Sequence, residues 1–335
     1  MLDSTVINLV RENIFSFVDG FFNPYFRWCW VYFVVFPFYA LIPYYRNLSP
    51  SEFNFREFIN YCFPKEIYFS QTTKVNFGLF FLMKIVFPTS FMYRFISVGG
   101  ISLYVYELLN GIVSPFWARF DSSGMTIFLF SAFMFVSVDF SNFFVHYLSH
   151  KIKWAWEFHS VHHSGDSLTP LSLFRFHPIF NFLRFTALLI TFGIVKGVIA
   201  YITFQDLNHM AYLHFEFGFF LLHFLGSNFQ HSHMWVSFGS LFNKILISPA
   251  HHQIHHSNKE IHRDKNFGEF LCLWDYLFGT LYIPQKKEDI VFGIQEGRQN
   301  YHPTVWKAFS DPFILNFKKM IKYFGANKLV TKYDN

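Results

Sequence analysis

Long apolar stretches alternate with short polar segments along this chain. A helix needs about 20 apolar residues to cross a bilayer, and stretches of roughly that length cover positions 26–45, 76–109, 126–148, 179–204 and 210–225. The second stretch contains Lys84 and Arg94 and is long enough for a hairpin of two shorter spans around Pro88. The pattern predicts an all-α integral membrane protein with about four to six transmembrane helices.

Composition supports the membrane assignment. The 335 residues are 52% hydrophobic and only 15% charged, and 52 of them are Phe, whereas charged residues make up about a quarter of a typical soluble domain. The net charge of +5 suits loops that face an anionic lipid leaflet, and the sequence has no basic stripe of the kind that binds DNA. We therefore expect no nucleic-acid partner.

The segments outside the apolar stretches suggest no second domain. Residues 46–75 mix polar and aromatic side chains and predict a loop with interfacial pieces. Cys29, Cys62 and Cys272 are scattered and odd in number, so the sequence predicts neither a disulfide framework nor a paired-cysteine metal site. The N-terminal residues lack the basic segment of a cleavable signal peptide, so we expect insertion to depend on internal spans.

The candidate chemistry lies in three histidine clusters, HYLSH, HSVHH and HHQIHH. Together they supply eight candidate metal ligands: His146, His150, His159, His162, His163, His252, His255 and His256. Residues three and four apart lie on one face of a helix, so each cluster can direct its rings to one point. One first-row metal ion rarely takes more than about six protein ligands, so the set predicts a binuclear metal site. The alternative is a zinc or structural site, or histidines that cap helix ends.

The clusters lie at the ends of the apolar spans rather than in their middles, where water, metal ions and an electron donor can reach them. Basic residues surround them or follow in the C-terminal part of the chain: Lys151, Lys153, Lys259, Arg263, Lys265, Lys318, Lys319 and Lys322. By the positive-inside rule this face is cytoplasmic. We expect a multi-pass protein with a cytosolic histidine-rich cap, in a bacterial plasma membrane or the endoplasmic reticulum.

An ordered set of motifs connects the clusters: DFSNFFVHYLSH, WEFHSVHHS, FRFHP and SPAHHQIHHSNKEIHRDKNFGEFLCLWDYLFGT. Through them residues 139–284 resemble the fatty acid hydroxylase and sterol desaturase family of integral-membrane di-iron enzymes. The sequence departs from that family at Tyr147, where an arginine is common, and residues 1–125 carry no motif that we can place. We divide the chain into a membrane-spanning region 1–125, a catalytic region 126–284 and a basic cytosolic tail 285–335.

The resemblance implies two non-heme iron ions, dioxygen as co-substrate, and a ninth ligand between the second and third boxes. The segment FQHSHMW supplies His231 at the position of the family's isolated box, with His233 as the weaker candidate. Five residues are candidates to support the ligands from behind, by contacts to their imidazoles or by fixing turns: Asp139, His177, His233, Asp264 and Asn266. Asp139 stands seven residues before His146, about two helical turns, and is expected either to bridge the irons or, by preference, to accept an N–H hydrogen bond from a ligating imidazole.

Other polar residues of the region are expected to be structural. Trp274 and Asp275 are predicted to pack and form turns that fix the third box. His209, His214 and His223 lie in or beside an apolar stretch without the box spacing, so we expect interior hydrogen-bonding roles for them.

The expected function is O2-dependent hydroxylation of a lipid taken from the bilayer. Because we find no cytochrome b5-like heme segment in the sequence, the electrons are expected from a separate cytochrome b5-like protein, ferredoxin or reductase. Sterol or fatty-acid desaturation and ether-lipid monooxygenation are alternatives within the same family. A non-catalytic metal transporter or sensor is the alternative from another class, although a transporter would hold its ligands near the bilayer midplane.

Overall fold

The computed structural model describes residues 4–24, 26–48, 53–87, 96–112, 124–203, 227–294 and 302–323. Within these residues the chain is mostly helical and forms no β-strand. Two isolated antiparallel bridges, Leu246 with Leu271 and Ser257 with Phe292, join loops near the third histidine box. The predicted helical class is therefore confirmed for the described part of the chain.

The described residues up to position 112 form six α-helices. They are α1 Ser4–Phe22, α2 Trp30–Leu48, α3 Phe55–Cys62, α4 Lys65–Tyr68, α5 Gln71–Phe81 and α6 Val98–Ile112, and α5 continues as a π-helix over Leu82–Val86. Asn54 caps α3, because its side chain accepts hydrogen bonds from the backbone N–H groups of Arg56 and Glu57. The hairpin expected around Pro88 lies outside the described residues.

The second part of the chain contains the three histidine boxes. Its helices are α7 Gly124–Lys151, α8 Lys153–His163, α9 Pro178–Thr203, α10 Gly239–Phe242, α11 Pro249–His255, α12 Leu273–Leu277 and α13 Val305–Tyr323. Short 3-10 turns cover Pro170–Phe174, Ser227–Phe229 and Glu260–His262. The apolar stretch predicted at 210–225 lies outside the described residues.

Two helices of the described part, α7 and α9, are long and apolar enough to cross a membrane. They match the stretches predicted at 126–148 and 179–204, whereas the full count of about four to six spans stays a prediction. Helix α9 packs closely on α6 because it presents glycine there. A Cβ atom at Gly193 would lie 2.6 Å from Ile101, and one at Gly197 would lie 2.6 Å from the Ser102 carbonyl.

The boxes meet where three helices end. Helix α7 carries the first box in its last two turns, and α8 begins directly after a break at Ile152. Helix α13 packs against α8 and is joined to it by two polar contacts. Asn316 donates to the Trp154 carbonyl at 3.0 Å, and Lys319 forms an ion pair with Glu157. Ser248 caps α11, which carries the third box. The fold therefore brings distant sequence boxes to one point at the end of a candidate span.

Candidate metal centre

Nine buried or half-buried histidines form two adjacent groups. The five-histidine group contains His146, His150, His159, His163 and His255, and the four-histidine group contains His162, His231, His252 and His256. Within each group the candidate ligand atoms all lie within 4.8 Å of one another. The eight box histidines and His231 are thus brought together, in a two-part arrangement that suits two metal ions.

Helical geometry explains why two of the boxes divide between the groups. Successive residues of an α-helix are turned by about 100°, so the side chain at position i+4 lies about 40° to one side of position i and that at i+3 about 60° to the other side. In α8, His159 and His163 accordingly join the five-histidine group, whereas His162 joins the other. At the end of α11, His252 and His256 join the four-histidine group, whereas His255 crosses to the five-histidine group. The expectation that each cluster directs all its rings to one point is therefore wrong for the second and third boxes.

The spacing of the ring nitrogens fits metal coordination. In the four-histidine group the Nε2 atom of His231 lies 3.0 Å from that of His162 and 2.8 Å from that of His252. In the five-histidine group the Nε2 atom of His163 lies 3.2 Å from that of His150 and 3.1 Å from that of His159. Two nitrogens about 2.1 Å from one ion are about 3.0 Å apart at a right angle and about 3.4 Å apart in a tetrahedron. The observed distances are close to those expected between neighbouring ligands of one ion.

The protonation of these histidines also fits a metal site. Burial lowers the pKa of His159, His162, His163, His231 and His256 well below the usual 6.5, and neighbouring imidazoles lower it further. Burial also lowers the pKa of His252 to about 3. Neutral imidazoles are the form that binds metals. Several neutral lone pairs that converge in a buried space are best satisfied by a cation.

Two candidate ligands have their tautomer fixed by backbone carbonyls. His146 donates from Nδ1 to the Phe267 carbonyl at 2.8 Å, and His255 donates from Nδ1 to the Lys265 carbonyl at 2.8 Å. Because a carbonyl can only accept, the proton is on Nδ1 and the lone pair is on Nε2. Both Nε2 atoms are buried and have no hydrogen-bond partner within the protein. This arrangement is typical of a metal-binding histidine supported from behind.

Asp264 supports a third ligand of the same group. Its carboxylate lies 3.5 Å from Nδ1 of His150 and accepts a hydrogen bond from Lys151 at 2.6 Å. The hydrogen bond with His150 and the nearby Lys151 lower the pKa of Asp264 to about 2, although partial burial opposes the shift. Asp264 and Asn266 have positive φ angles of 58° and 57°. This backbone turn lets one short segment reach His146, His150 and His255.

The supporting segment is itself held by carboxylates. Asp275 accepts hydrogen bonds from the backbone N–H groups of Phe267 and Gly268, both at 2.8 Å. Asp139 accepts from the N–H groups of Phe270 at 3.1 Å and Leu271 at 3.2 Å and from the indole of Trp274 at 2.9 Å. The hydrogen bonds of Asp139 therefore go to this segment and not to a ligating imidazole, so the expected direct contact was wrong.

The remaining predicted support residues lie one step further from the metal groups. Asn266 donates to the carbonyls of His251 at 3.2 Å and Tyr282 at 2.9 Å, which ties α11 to the following loop. His177 donates to the Phe309 carbonyl at 3.0 Å and accepts from the N–H of Ile179, so it orders the start of α9.

His233, the weaker ligand candidate, lies outside both groups. Its Nε2 donates to the Tyr61 carbonyl at 2.8 Å, which directs the ring away from the centre. The chain bends through residues 230–234, so residues two apart there do not share a direction as they would in a regular strand. His209, His214 and His223 lie outside the described residues.

Arg175 supports the second box and was not among the predicted site residues, although it stands in the quoted motif FRFHP. It is fully buried, and its guanidinium donates to the Val161 carbonyl, the Ser164 hydroxyl and the Asn76 side chain at 2.8–2.9 Å. Longer contacts at 3.3–3.4 Å reach the carbonyls of Thr72 and His302. The hydrogen bonds of Arg175 therefore link the end of α8, where His162 and His163 lie, to α5 and to the segment before α13.

Four cavities among the described residues lie at or near the two histidine groups. A metal cavity of about 50 Å³ touches both groups and is bordered by Arg27, Arg184 and Glu269. A polar cleft of about 360 Å³ reaches His150, His163 and His255 from another side and carries Lys259 and Arg263. A large apolar cavity of about 430 Å³ shares Gln230 with the metal cavity. A small apolar cavity of about 150 Å³ shares Arg27 and Leu173 with it.

Replacing Asp264 with asparagine is expected to weaken the five-histidine site without emptying it. The change removes the negative charge behind His150, and such second-layer changes typically cost about 10- to 100-fold in metal affinity or activity. Metal titration of purified protein measures the effect, with the exposed Asp289→Asn as a matched control. Unchanged metal affinity in Asp264→Asn would contradict the support role.

Comparison with known proteins agrees with this architecture. Residues 131–280 match the fatty acid hydroxylase family. The match covers 150 of the 335 residues, and the resemblance drawn from the histidine boxes is confirmed over this region. No solved structure matches the chain.

Several curated proteins are similar over the same region. The chain is 24% identical over 187 residues to alkylglycerol monooxygenase of Xenopus tropicalis and 26% identical over 186 residues to that of Homo sapiens. Each match covers 52% of this chain and 37% of the relative. This chain is also 28% identical over 160 residues to the ornithine lipid hydroxylase OlsE of Rhizobium tropici. That match covers 48% of this chain and 44% of the relative. The chain thus matches less than half the length of these relatives.

Proposed function

We propose that this protein is a membrane lipid hydroxylase that uses dioxygen and a non-heme di-iron centre. The observation that carries the proposal is the pair of adjacent histidine groups with five and four candidate ligands. Asp264 is the one carboxylate within 4.0 Å of a candidate ligand nitrogen in the described part of the chain. A nitrogen-rich shell of this size suits a redox site better than a zinc hydrolase, which usually holds its ion with three protein ligands and a water.

The residues of the chain would orient and protect the metals. Two iron ions, when bound, supply the electrons and open positions needed to activate dioxygen. The nine histidines would hold them, and the carbonyls of Lys265 and Phe267 keep the ring nitrogens of His255 and His146 directed inwards. Burial of the groups excludes bulk water, which protects a reactive oxidant from side reactions.

The apolar cavities are the proposed path for the lipid chain. The large apolar cavity is bordered by residues of α2 and by the segment 236–249, and it ends at Gln230 beside the metal cavity. Gln230 donates to the Glu269 carbonyl at 2.6 Å, which keeps its side chain in place between the two spaces. Such a path would present one carbon of a bilayer lipid to the metals by proximity.

The polar cleft is the proposed side for electron delivery. It reaches three ligands of the five-histidine group, and Lys259 and Arg263 give it a basic rim. We propose that a separate cytochrome b5-like protein, ferredoxin or reductase supplies electrons at the cytoplasmic face. The basic residues on this side are consistent with that orientation.

Labelled dioxygen is expected to distinguish hydroxylation from desaturation. Hydroxylation requires one C–H bond near the metals, whereas desaturation requires two neighbouring ones in succession, which is a stricter geometric demand. We expect mass spectrometry of the lipid product to find one oxygen atom from the labelled gas. A product with a new double bond and no label would contradict hydroxylation and leave the di-iron proposal intact.

Ether-lipid monooxygenation is the second candidate, because two of the relatives are named alkylglycerol monooxygenases. It would also place a labelled oxygen in the product, so the two candidates differ in the lipid rather than in the label. The ends of α7 and α8 carry the candidate ligands, which speaks against a transporter with its site at the bilayer midplane.

A further inference from the structure

An arginine in α9 points to the chemistry of the lipid. Arg184 lies in the second turn of this candidate span and borders the metal cavity. Its guanidinium lies 5.5 Å from the ring centre of Phe176 and 5.7 Å from that of Phe185. No carboxylate of the described residues forms an ion pair with it. A charged residue in an apolar span is costly, so one at a cavity is a candidate for function.

The other charged residues that border the cavity leave the charge of Arg184 uncompensated. Arg27 forms an ion pair with Glu269 at 2.7 Å, so that carboxylate already has a cation. Glu269 is the one carboxylate among the described residues that border the metal cavity. The balance of Arg27 and Arg184 against Glu269 leaves one cation in excess, to which bound metal ions would add.

We propose that the metal cavity binds the anionic group, a carboxylate or a phosphate, of an acidic lipid, with Arg184 as its partner. This inference rests on the proposed function only in taking that lipid to be the substrate. A guanidinium pairs well with both groups, because its N–H donors match two oxygen atoms. Arg184 is thus a specificity-determining residue that favours acidic lipids over neutral ones.

The size of the spaces agrees with this arrangement. A cavity of about 50 Å³ that is partly lined by candidate metal ligands is too small for an acyl chain, so only a compact anionic group would fit beside bound metal ions. The small apolar cavity of about 150 Å³ continues from Arg27 and Leu173 between aromatic rings such as Phe36 and Phe174. The acidic group would lie by Arg184, and the chain would extend into this apolar space.

Binding of matched lipids to the iron-loaded, full-length protein tests the proposal without turnover. The probes are palmitate, lysophosphatidic acid, and the neutral hexadecanol and monopalmitoylglycerol, measured anaerobically in detergent. We expect at least one acidic probe to bind roughly 10- to 100-fold more tightly than its neutral match. Preference for palmitate alone identifies a carboxylate, and preference for lysophosphatidic acid alone identifies a phosphate. Equal binding of acidic and neutral probes would overturn the proposal.

Two variants assign the effect to Arg184. Arg184→Gln is expected to lose the preference for the acidic probe, and Arg184→Lys is expected to retain part of it. The exposed Arg56→Gln serves as the matched control and should behave like the wild-type protein. If Arg184→Gln kept the full preference, Arg184 would not be the partner. Iron content is measured on the same samples. Wild-type protein that binds no iron would contradict the di-iron proposal, whereas the lipid preference alone tests the role of Arg184.

Discussion

Alanine in place of His252 is expected to abolish turnover and to remove the metal of the four-histidine group only. The Nε2 atom of His252 lies 2.8 Å from that of His231 and 3.0 Å from that of His256, so its loss opens a position in the middle of this group. Iron content should fall from about two ions per chain to about one. His255→Ala should act on the five-histidine group in the same way.

The control for these variants is His233→Gln. This histidine stands two residues after His231 but bonds to the Tyr61 carbonyl, and it belongs to neither group. The control should retain about two iron ions per chain. If His252→Ala kept both ions, or if His233→Gln lost one, the division of the ligands into two groups would be wrong.

Methionine in place of Arg175 is expected to destabilise the protein strongly. Methionine fills most of the same space but cannot donate to the buried Asn76 side chain or to the Ser164 hydroxyl. A buried acceptor without a partner costs about 1–3 kcal/mol, so losing several donors should lower the free energy of unfolding by roughly 3 kcal/mol or more. Thermal unfolding in detergent measures this loss.

Metal binding by the second box measures whether Arg175 also positions the histidines. Arg175→Met should also weaken metal binding, because the end of α8 carries His159, His162 and His163. Arg175→Lys should recover part of both properties, whereas the exposed Arg56→Met should change neither. An unaltered unfolding temperature in Arg175→Met would contradict the proposed role of the guanidinium.

The sequence identified the elements that depend on local periodicity. Helices α7 and α9 follow from their long apolar stretches, and the boxes follow from histidines at helical spacing. His231 lacked a box of its own, and the resemblance to the family was needed to select it from FQHSHMW. The structure brings it together with His162, His252 and His256.

Long-range partners could not be predicted from these patterns. The acceptors for His146 and His255 are backbone carbonyls of Phe267 and Lys265, and a carbonyl has no sequence signature. The helical spacing of Asp139 to His146 indicated a shared face, but its hydrogen bonds go to a segment more than 130 positions away. Arg175 was visible in its motif, yet its acceptors come from α5, α8 and the segment before α13, which only the fold assembles.

The most direct test of the central claim is the iron content of the active protein. The chain is purified in detergent without metal, loaded anaerobically with ferrous iron or with zinc, and analysed for metal content and lipid turnover together. Two adjacent groups of five and four histidines predict about two iron ions per chain, with activity restored by iron and not by zinc. Full activity with zinc alone, or with a single iron ion per chain, would contradict a di-iron hydroxylase.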